Sequence, residues 1–261
     1  MWVQQQLDLN MIGVGSSGQI YEVDGDTVLK AGRVYQPPDG NTSRLDIWHY
    51  VSESIFHFEL IENERKVFQQ LERNPHPNIA EPIDITRPEG IYIRRYTSIS
   101  EMDKFTRPQR VSLYLSLLRG LSHLHSLEIA HSDLRVENVL FDIHGEPIIC
   151  DFSASAAFGQ PNPAAPSSNC PVPINGLSKL LSGATDRFAF ASLMFRLETG
   201  AKPALSFDPM ALSSCHTLSQ SMPILVELSR KHGLGLLLPP WRCCAASSLL
   251  MSQEISQDPN L

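Results

Sequence analysis

The sequence has few cysteines, no long apolar run and no excess of basic residues, and each absence excludes a class of protein. The five cysteines are an odd number and form neither a CxxC pair nor a zinc-binding spacing. They predict reduced thiols in an intracellular, cytoplasmic protein rather than a disulfide-stapled secreted domain. No apolar run reaches the roughly 18 residues of a membrane-spanning helix. The start, MWVQQQLDLN, has neither the basic nor the apolar region of a secretory signal.

The overall charge and composition narrow the partners further. The formal net charge of −7 provides no basic field, so we expect no binding to nucleic acid or to an anionic membrane surface. Apolar residues make up 42% of the chain, which excludes a protein that is disordered throughout. With 261 residues, the chain is long enough for one large domain or two fused lobes.

Apolar periodicity predicts strands and one helix first, and mainly helices afterwards. The predicted strands are Met11–Val14, Gln19–Val23, Thr27–Ala31, Ile79–Ile85, Ile91–Tyr96, Asn138–Phe141 and Ile148–Cys150. The predicted helices are Val51–Arg73, one that opens at Thr106-Arg107-Pro108, and Asp186–Leu197 with Gly200 beyond its end. Polar stretches rich in proline predict loops at 36–43 and 159–176.

This order predicts an α+β protein of two lobes with a cleft between them. We expect a small antiparallel-sheet lobe with one helix at 10–96 and a mainly helical large lobe at 97–232. Residues 233–261 form a poorly patterned tail. Residues 204–261 contain few amphipathic segments, and two interpretations of the large lobe stay open, a truncated lobe and a divergent but complete one.

Three groups of residues have the chemistry of a phosphate site. Gly13-x-Gly15-x-x-Gly18 lies between two predicted strands, where a glycine backbone can approach a phosphate closely. A strand rather than a helix follows these glycines, which argues against dinucleotide binding. Lys30 ends the third predicted strand. Glu64 falls on the apolar stripe of the first helix, where a carboxylate is costly unless it has a partner, and Lys30 is the partner to test.

The third group lies in the second half of the chain. The string His131-Ser132-Asp133-Leu134-Arg135-Val136-Glu137-Asn138 connects a predicted helix to a predicted strand, and Asp151-Phe152-Ser153 ends the next strand. Two carboxylates and an amide that meet at a cleft are oxygen ligands of the type that Mg²⁺ prefers. One of the carboxylates also suits a base for a hydroxyl nucleophile.

In order and spacing, these groups resemble the protein kinase superfamily over roughly residues 10–203. His76-Pro77-Asn78-Ile79 resembles the turn that follows the helix carrying the kinase glutamate, and Asp186 resembles the aspartate that holds the catalytic loop by its backbone. The loop strings most resemble small, divergent kinases of fungal type.

The resemblance implies a role for each position, with ATP and Mg²⁺ as cofactors. The residues implied to bind nucleotide are Gly13, Gly15, Gly18, Ile20, Val28, Lys30 and Leu140. The residues implied to act in catalysis are Asp133, Arg135, Lys30 and Glu64. Asn138 and Asp151 are implied to hold Mg²⁺. Phe68, His131 and Phe152 fall on the regulatory stack of apolar side chains.

Several positions depart from the family pattern. Ser132 replaces the arginine before the catalytic aspartate, which normally meets a phosphate on the activation loop. Arg135 replaces a lysine, Ser153 replaces a glycine, and Val28 replaces a smaller alanine. No Ala-Pro-Glu string ends the loop at 159–176.

The resemblance therefore implies ATP-dependent phosphoryl transfer to serine or threonine hydroxyls of a protein substrate, by a monomer. Two alternatives stay open. One is a pseudokinase that binds ATP or a partner protein without turnover, and the other is a small-molecule phosphotransferase of the same fold.

Overall fold

The computed structural model describes residues 3–4, 8–40, 42–98, 105–163, 174–176 and 178–200. The predicted end of the large lobe at 232 and the predicted tail at 233–261 lie outside the described residues. The elements in chain order are β1 (Val3–Gln4), β2 (Asn10–Val14), β3 (Gly18–Glu22), β4 (Thr27–Gly32), β5 (Val34–Tyr35), α1 (Arg44–Leu71), β6 (Pro82–Asp84), β7 (Ile91–Arg94), β8 (Thr97–Ser98), α2 (Arg107–Ser126), β9 (Ile129–Ala130), β10 (Val139–Phe141), β11 (Pro147–Ile149), β12 (Ala156–Ala157) and α3 (Gly183–Thr199).

The small lobe is an antiparallel five-stranded sheet in the order β2-β3-β4-β7-β6, with α1 packed beside β4. In its register, Ile20 lies opposite Lys30, and Val28 lies opposite Ile93. Residues directly opposite each other in a sheet share a face, and so do alternate residues of one strand. Ile20, Val28 and Lys30 therefore point to the same side of the sheet.

The large lobe is built around α2 and α3, with short strands between them. α2 begins after Thr106, whose backbone N–H and hydroxyl both donate to the Gln109 side chain. The strands β8, β10 and β11 form a three-stranded sheet that packs on α2. One apolar core continues through both lobes and includes Phe68 of α1, Leu117 of α2 and Phe190 of α3. The predicted α+β fold of two lobes is confirmed.

The first helix is longer than its periodicity predicts, since it starts at Arg44 instead of Val51. The start is fixed by Ser43, whose hydroxyl accepts a hydrogen bond of 3.2 Å from the backbone N–H of Asp46. α3 also exceeds its predicted bounds, because Ser182 caps it and begins the helix at Gly183. The predicted end at Gly200 is confirmed by a left-handed backbone at that residue, with φ of 70°.

The predicted strand at Ile79–Ile85 is wrong in its first half, because only Pro82–Asp84 joins the small-lobe sheet. Ile79 instead forms a bridge with Ile149 of β11, and the N–H of Ala80 donates to the Ile149 carbonyl at 2.9 Å. The backbone of this segment is thus satisfied by the large lobe before the chain returns to the sheet.

Candidate active site

The centre of the site is a buried ion pair between β4 and α1. The Lys30 ammonium lies 2.6 Å from a carboxylate oxygen of Glu64, and the two side chains are 6% and 0% exposed. The sequence predicted this contact from the position of Glu64 on an apolar helix face, and Ile61 and Phe68 on the same face are indeed buried. A buried carboxylate without such a partner would cost several kcal/mol.

Asp151 joins the pair from the large lobe and turns it into a three-group cluster. Its carboxylate lies 2.7 Å from the Lys30 ammonium, at a backbone position with φ of 65°. Burial alone would lower the pKa of Lys30, but the charges of Glu64 and Asp151 outweigh it and raise that pKa. Burial would likewise raise the pKa of Asp151, but the Lys30 ammonium and hydrogen bonds hold it below its usual range. Both pKa shifts favour the charged forms of Lys30 and Asp151.

The loop between β2 and β3 lies over this cluster. The N–H of Gly15 donates to the Gly18 carbonyl at 2.8 Å, and Arg33 donates to the carbonyl of Gly15, which closes the loop. Ser17 at its base is buried, and its hydroxyl donates to both oxygens of Asp151 at 3.3 and 3.2 Å. The glycine loop therefore contacts the large lobe directly.

The three glycines of this loop differ in how strictly the fold requires them. A Cβ added to Gly18 would lie 2.3 Å from the Ala31 carbonyl oxygen across the β3–β4 pair, which no side chain can occupy. Added Cβ atoms at Gly13 and Gly15 would meet nothing closer than 3.8 and 3.9 Å. Strand pairing alone accounts for Gly18, whereas Gly13 and Gly15 leave the loop surface open to a ligand.

The catalytic-loop residues are held together by their own hydrogen bonds. The Asn138 side-chain amide donates to the Asp133 carbonyl at 2.8 Å and to its carboxylate at 2.9 Å. Arg135 lies 3.4 Å from the same carboxylate and remains 42% exposed. Burial raises the pKa of Asp133, while Arg135 and Asn138 oppose the shift. The carboxylate is thus an acceptor of increased basicity at the edge of the cleft.

Asn138 and Asp151 are placed side by side by the pairing of β10 with β11. The N–H of Cys150 donates to the Asn138 carbonyl at 3.0 Å, and Asp151 is the next residue. An amide oxygen and an ionised carboxylate are donors that suit Mg²⁺. Among the described residues, no cluster of three His, Cys, Asp or Glu could hold a metal ion. Two such donors would leave most of the coordination sphere of Mg²⁺ to water or to phosphate oxygens.

Asp186 at the start of α3 fixes the backbone of the catalytic loop. It is fully buried, and its carboxylate accepts from the N–H groups of His131 at 2.8 Å and Ser132 at 3.0 Å. His125 of α2 lies 2.9 Å from the same carboxylate. These bonds hold Ser132 at a left-handed φ of 67°, a conformation that a serine adopts only under constraint.

A chain of rings connects α1 to the catalytic loop. The Phe152 ring packs edge-on against Phe68, with centroids 5.4 Å apart, and against His131 at 5.4 Å. The N–H of Phe152 also donates to the Glu64 carboxylate at 3.1 Å. The three residues predicted to form a stack are in contact, and the stack is coupled to the ion pair.

The three residues that the family resemblance implies for adenine come from both lobes. Ile20 and Val28 share the sheet face with Lys30, and all three of Ile20, Val28 and Leu140 are half-buried. Leu140 is the middle residue of β10 and lies two positions after Asn138.

The sequence analysis missed several polar residues that complete the site. Asn63 of α1 donates from its amide to the carbonyls of Ser153 at 2.9 Å and Ser155 at 2.8 Å. The Ser153 hydroxyl donates to Asp151 at 2.7 Å, and its φ is not positive, so this position does not need the glycine of the family pattern. Asn175 donates to the Ser132 carbonyl at 2.6 Å. No local pattern marks Asn63 or Asn175, because their partners are distant in sequence.

A cavity of about 780 Å³ lies at His76, Glu81, Tyr96 and His144, and none of the predicted site residues lines it. Within the described ranges, no helix has the length and apolar character needed to cross a membrane.

Comparison with known proteins agrees with this geometry. The protein kinase domain matches residues 8–171. A probable serine/threonine-protein kinase of Dictyostelium discoideum is 27% identical over 167 residues, which cover 56% of this chain and 11% of the relative. Serine/threonine-protein kinase ppk8 of Schizosaccharomyces pombe is 26% identical over 162 residues, 58% of this chain and 29% of the relative. Serine/threonine-protein kinase shk2 of the same yeast is 33% identical over 107 residues, which cover 38% of this chain and 18% of the relative.

The aligned regions thus span less than a third of these relatives' own lengths. The family match nevertheless extends from the glycine loop past Asp151, and it includes each residue group that the ion pair, the catalytic loop and the ring stack bring together. The chain belongs to the protein kinase domain family.

Proposed function

We propose that this chain transfers the γ-phosphoryl group of ATP to serine or threonine hydroxyls of a protein substrate. The observation that carries the proposal is the contact of the buried Lys30 ammonium with both Glu64 and Asp151. A lysine paired in this way is preorganised to meet phosphate oxygens without paying the entropy of an unrestrained side chain. The relatives named above are serine/threonine-protein kinases.

In this proposal the small lobe binds the nucleotide. The backbone of Gly13, Gly15 and Gly18 covers the phosphates, and Lys30 contacts the α- and β-phosphates while Glu64 holds it. Ile20 and Val28 on the sheet and Leu140 below it enclose the adenine. The sheet face that Ile20 and Val28 share, and the partial exposure of all three side chains, support this assignment.

The large lobe carries the transfer itself. The substrate hydroxyl oxygen forms a bond to the γ-phosphorus while the bond from that phosphorus to the β–γ bridging oxygen breaks, and ADP leaves with the electron pair. The hydroxyl proton passes to the Asp133 carboxylate, whose raised pKa favours acceptance. Arg135, beside this carboxylate, offers a cation to the transferred phosphoryl group.

Asn138 and Asp151 are the residues that would hold Mg²⁺. When bound, the ion neutralises charge that develops on the phosphate oxygens. The lowered pKa of Asp151 keeps this carboxylate ionised and ready to coordinate. ATP and a protein substrate are the proposed partners, and the proposed location is the cytoplasm, because the five cysteines of the sequence form neither a CxxC pair nor a zinc-binding spacing.

The test is to score nucleotide binding and phosphate transfer separately. We expect the purified chain with γ-labelled Mg-ATP to label itself or a mixed protein substrate, and Lys30→Met to abolish labelling. Lys66→Met, at an exposed lysine of α1, is the matched control and should retain labelling. Binding of ATP without any transfer, by wild type as well as variant, would refute the catalytic proposal.

One observation favours a second function, a binding module without turnover. The Asp151 carboxylate already accepts hydrogen bonds from Ser17, Lys30 and Ser153. In such a module, Ser17 would compete with the metal for Asp151, so Ser17→Ala should raise nucleotide affinity in Mg²⁺ without creating transfer. In a kinase, the same variant should change the Michaelis constant for ATP while transfer persists.

A further inference from the structure

The first half of α1 projects from the small lobe. None of residues 44–56 is buried, and the first buried residue of the 28-residue helix is His57. Yet this half carries large apolar side chains on its outer side: Trp48 is 62% exposed, Ile55 52% and Phe58 65%. A helix that is apolar beyond its buried face lies against another element in nearly all folded proteins.

The exposed apolar residues follow a regular spacing. Trp48, Val51, Ile55 and Phe58 are separated by three, four and three positions, and Val51 is also exposed. This is the alternation of the a and d positions of a heptad, which places one side chain about every 3.5 residues along a single seam. We call these four residues the outer seam. Its spacing is that of a surface that packs against another helix.

Charges of opposite sign end the outer seam. Continuing the same alternation leads to Arg44 before Trp48 and to Glu62 after Phe58. Arg44 is exposed, and Glu62 is half-buried beside Arg65, whose Nε lies 3.0 Å away. A partner helix that fits this seam therefore has a negative charge at one end and a positive charge at the other.

A second copy of the same helix meets this requirement when it runs antiparallel. We propose that two copies of this chain associate through their outer seams, as a symmetric antiparallel helix pair. Trp48 then packs against Phe58 of the partner copy, Val51 against Ile55 of the partner copy, and Arg44 faces Glu62 of the partner copy. Each a position meets a d position, as antiparallel packing requires, and the same surface is used by both copies.

A parallel pair is excluded by the same charges. It would set Arg44 against Arg44 and Glu62 against Glu62, so both ends of the seam would repel. In the antiparallel pair, Glu62 has to share or exchange its contact with Arg65, but an ion pair between residues three apart on one helix contributes little stability. A dimer thus replaces the monomer expected from the sequence, and the inference does not depend on phosphoryl transfer.

The experiment is to measure the mass of the full chain in solution by sedimentation velocity across a wide concentration range. We expect a concentration-dependent dimer. Ile55→Asp should raise the dissociation constant about a hundredfold or more, because the added charge enters the centre of the interface twice. Ile143→Asp, at an apolar residue 88% exposed on another surface, is the matched control and should dimerise normally. Circular dichroism checks that both variants are folded.

Charge reversal tests the antiparallel geometry. Arg44→Glu and Glu62→Arg should each weaken the dimer, the double variant should restore it, and an equimolar mixture of the two single variants should form a heterodimer. A wild-type chain that stays monomeric at all concentrations would overturn the proposal, and the outer seam would then belong to a different partner. A dimer that tolerates Ile55→Asp, or a double variant as weak as the single ones, would also overturn it.

Discussion

The side-chain amide of Asn175 donates a hydrogen bond of 2.6 Å to the backbone carbonyl of Ser132. Ser132 stands where the kinase pattern has an arginine that meets an activation-loop phosphate. Both groups of this bond are buried, and Asn175 also lies 3.3 Å from the side-chain oxygen of Asn162. Neutral amide contacts thus connect Asn162 and Asn175 to the catalytic loop at Ser132, where the family pattern has a charged arginine.

We expect activity to be insensitive to phosphatase treatment. Ser132 lacks the guanidinium that makes bidentate, charge-assisted bonds to a phosphate, so phosphorylation has no partner there. The measurement is phosphate transfer by the purified chain before and after complete dephosphorylation, verified by mass spectrometry. Asn175→Ala should lower transfer in both preparations, since it removes the uncharged contact. A large loss on dephosphorylation of the wild type would contradict this prediction.

We expect substitutions of Asp151 and Asp133 to affect different steps, nucleotide binding for Asp151 and phosphate transfer for Asp133. Asp151→Asn removes a carboxylate whose lowered pKa keeps it charged, so Mg²⁺-dependent affinity for ATP should fall at least tenfold. Asp133→Asn should retain that affinity and lose transfer. Calorimetric titration of each variant with and without Mg²⁺ measures the difference. If both variants bind Mg-ATP as tightly as wild type, the role of Asp151 is misassigned.

The pH dependence of transfer should reflect the burial of Asp133. The base must be ionised to accept a proton, and burial raises its pKa above the ordinary aspartate value of 3.8. Activity should therefore be complete above the raised pKa and decline at a higher pH than an exposed aspartate would give. The check is the turnover number against pH under saturating ATP. Arg135→Gln removes a charge that lowers this pKa, so it should move the acid limb upward; an unmoved limb would assign it to another group.

Gly18 and Gly15 should differ in what an added methyl group does to stability. Gly18→Ala sets a Cβ 2.3 Å from a backbone oxygen of β4 and should cost about 1–3 kcal/mol of unfolding free energy. Gly15→Ala has open space around it and should leave stability within about 0.5 kcal/mol while it weakens ATP binding. Urea denaturation measures both, and equal destabilisation would refute the distinction.

The sequence was informative where one local pattern carried the constraint. Glu64 could be paired with Lys30 because a carboxylate interrupts an apolar helix stripe, whereas Asp186 was assigned through the resemblance to the kinase family. The start of α1 could not be predicted, because residues 44–56 carry apolar side chains on more than one face and lose the one-sided period. The contact of Ser17 with Asp151 depends on how two lobes meet, which no local pattern encodes.

Because α1 is long, a tilt of the helix displaces its two ends by different amounts. The helix is about 42 Å long, and Ile61, which packs within 3.3 Å of where a Gly32 Cβ would lie, is a natural fulcrum. Trp48 lies about 20 Å from this fulcrum and Glu64 only about 4.5 Å. A tilt that carries Trp48 through about 4 Å therefore displaces Glu64 by about 1 Å. In a rigid tilt of this kind, a large displacement of the outer half of α1 gives only a small displacement of the carboxylate that holds Lys30.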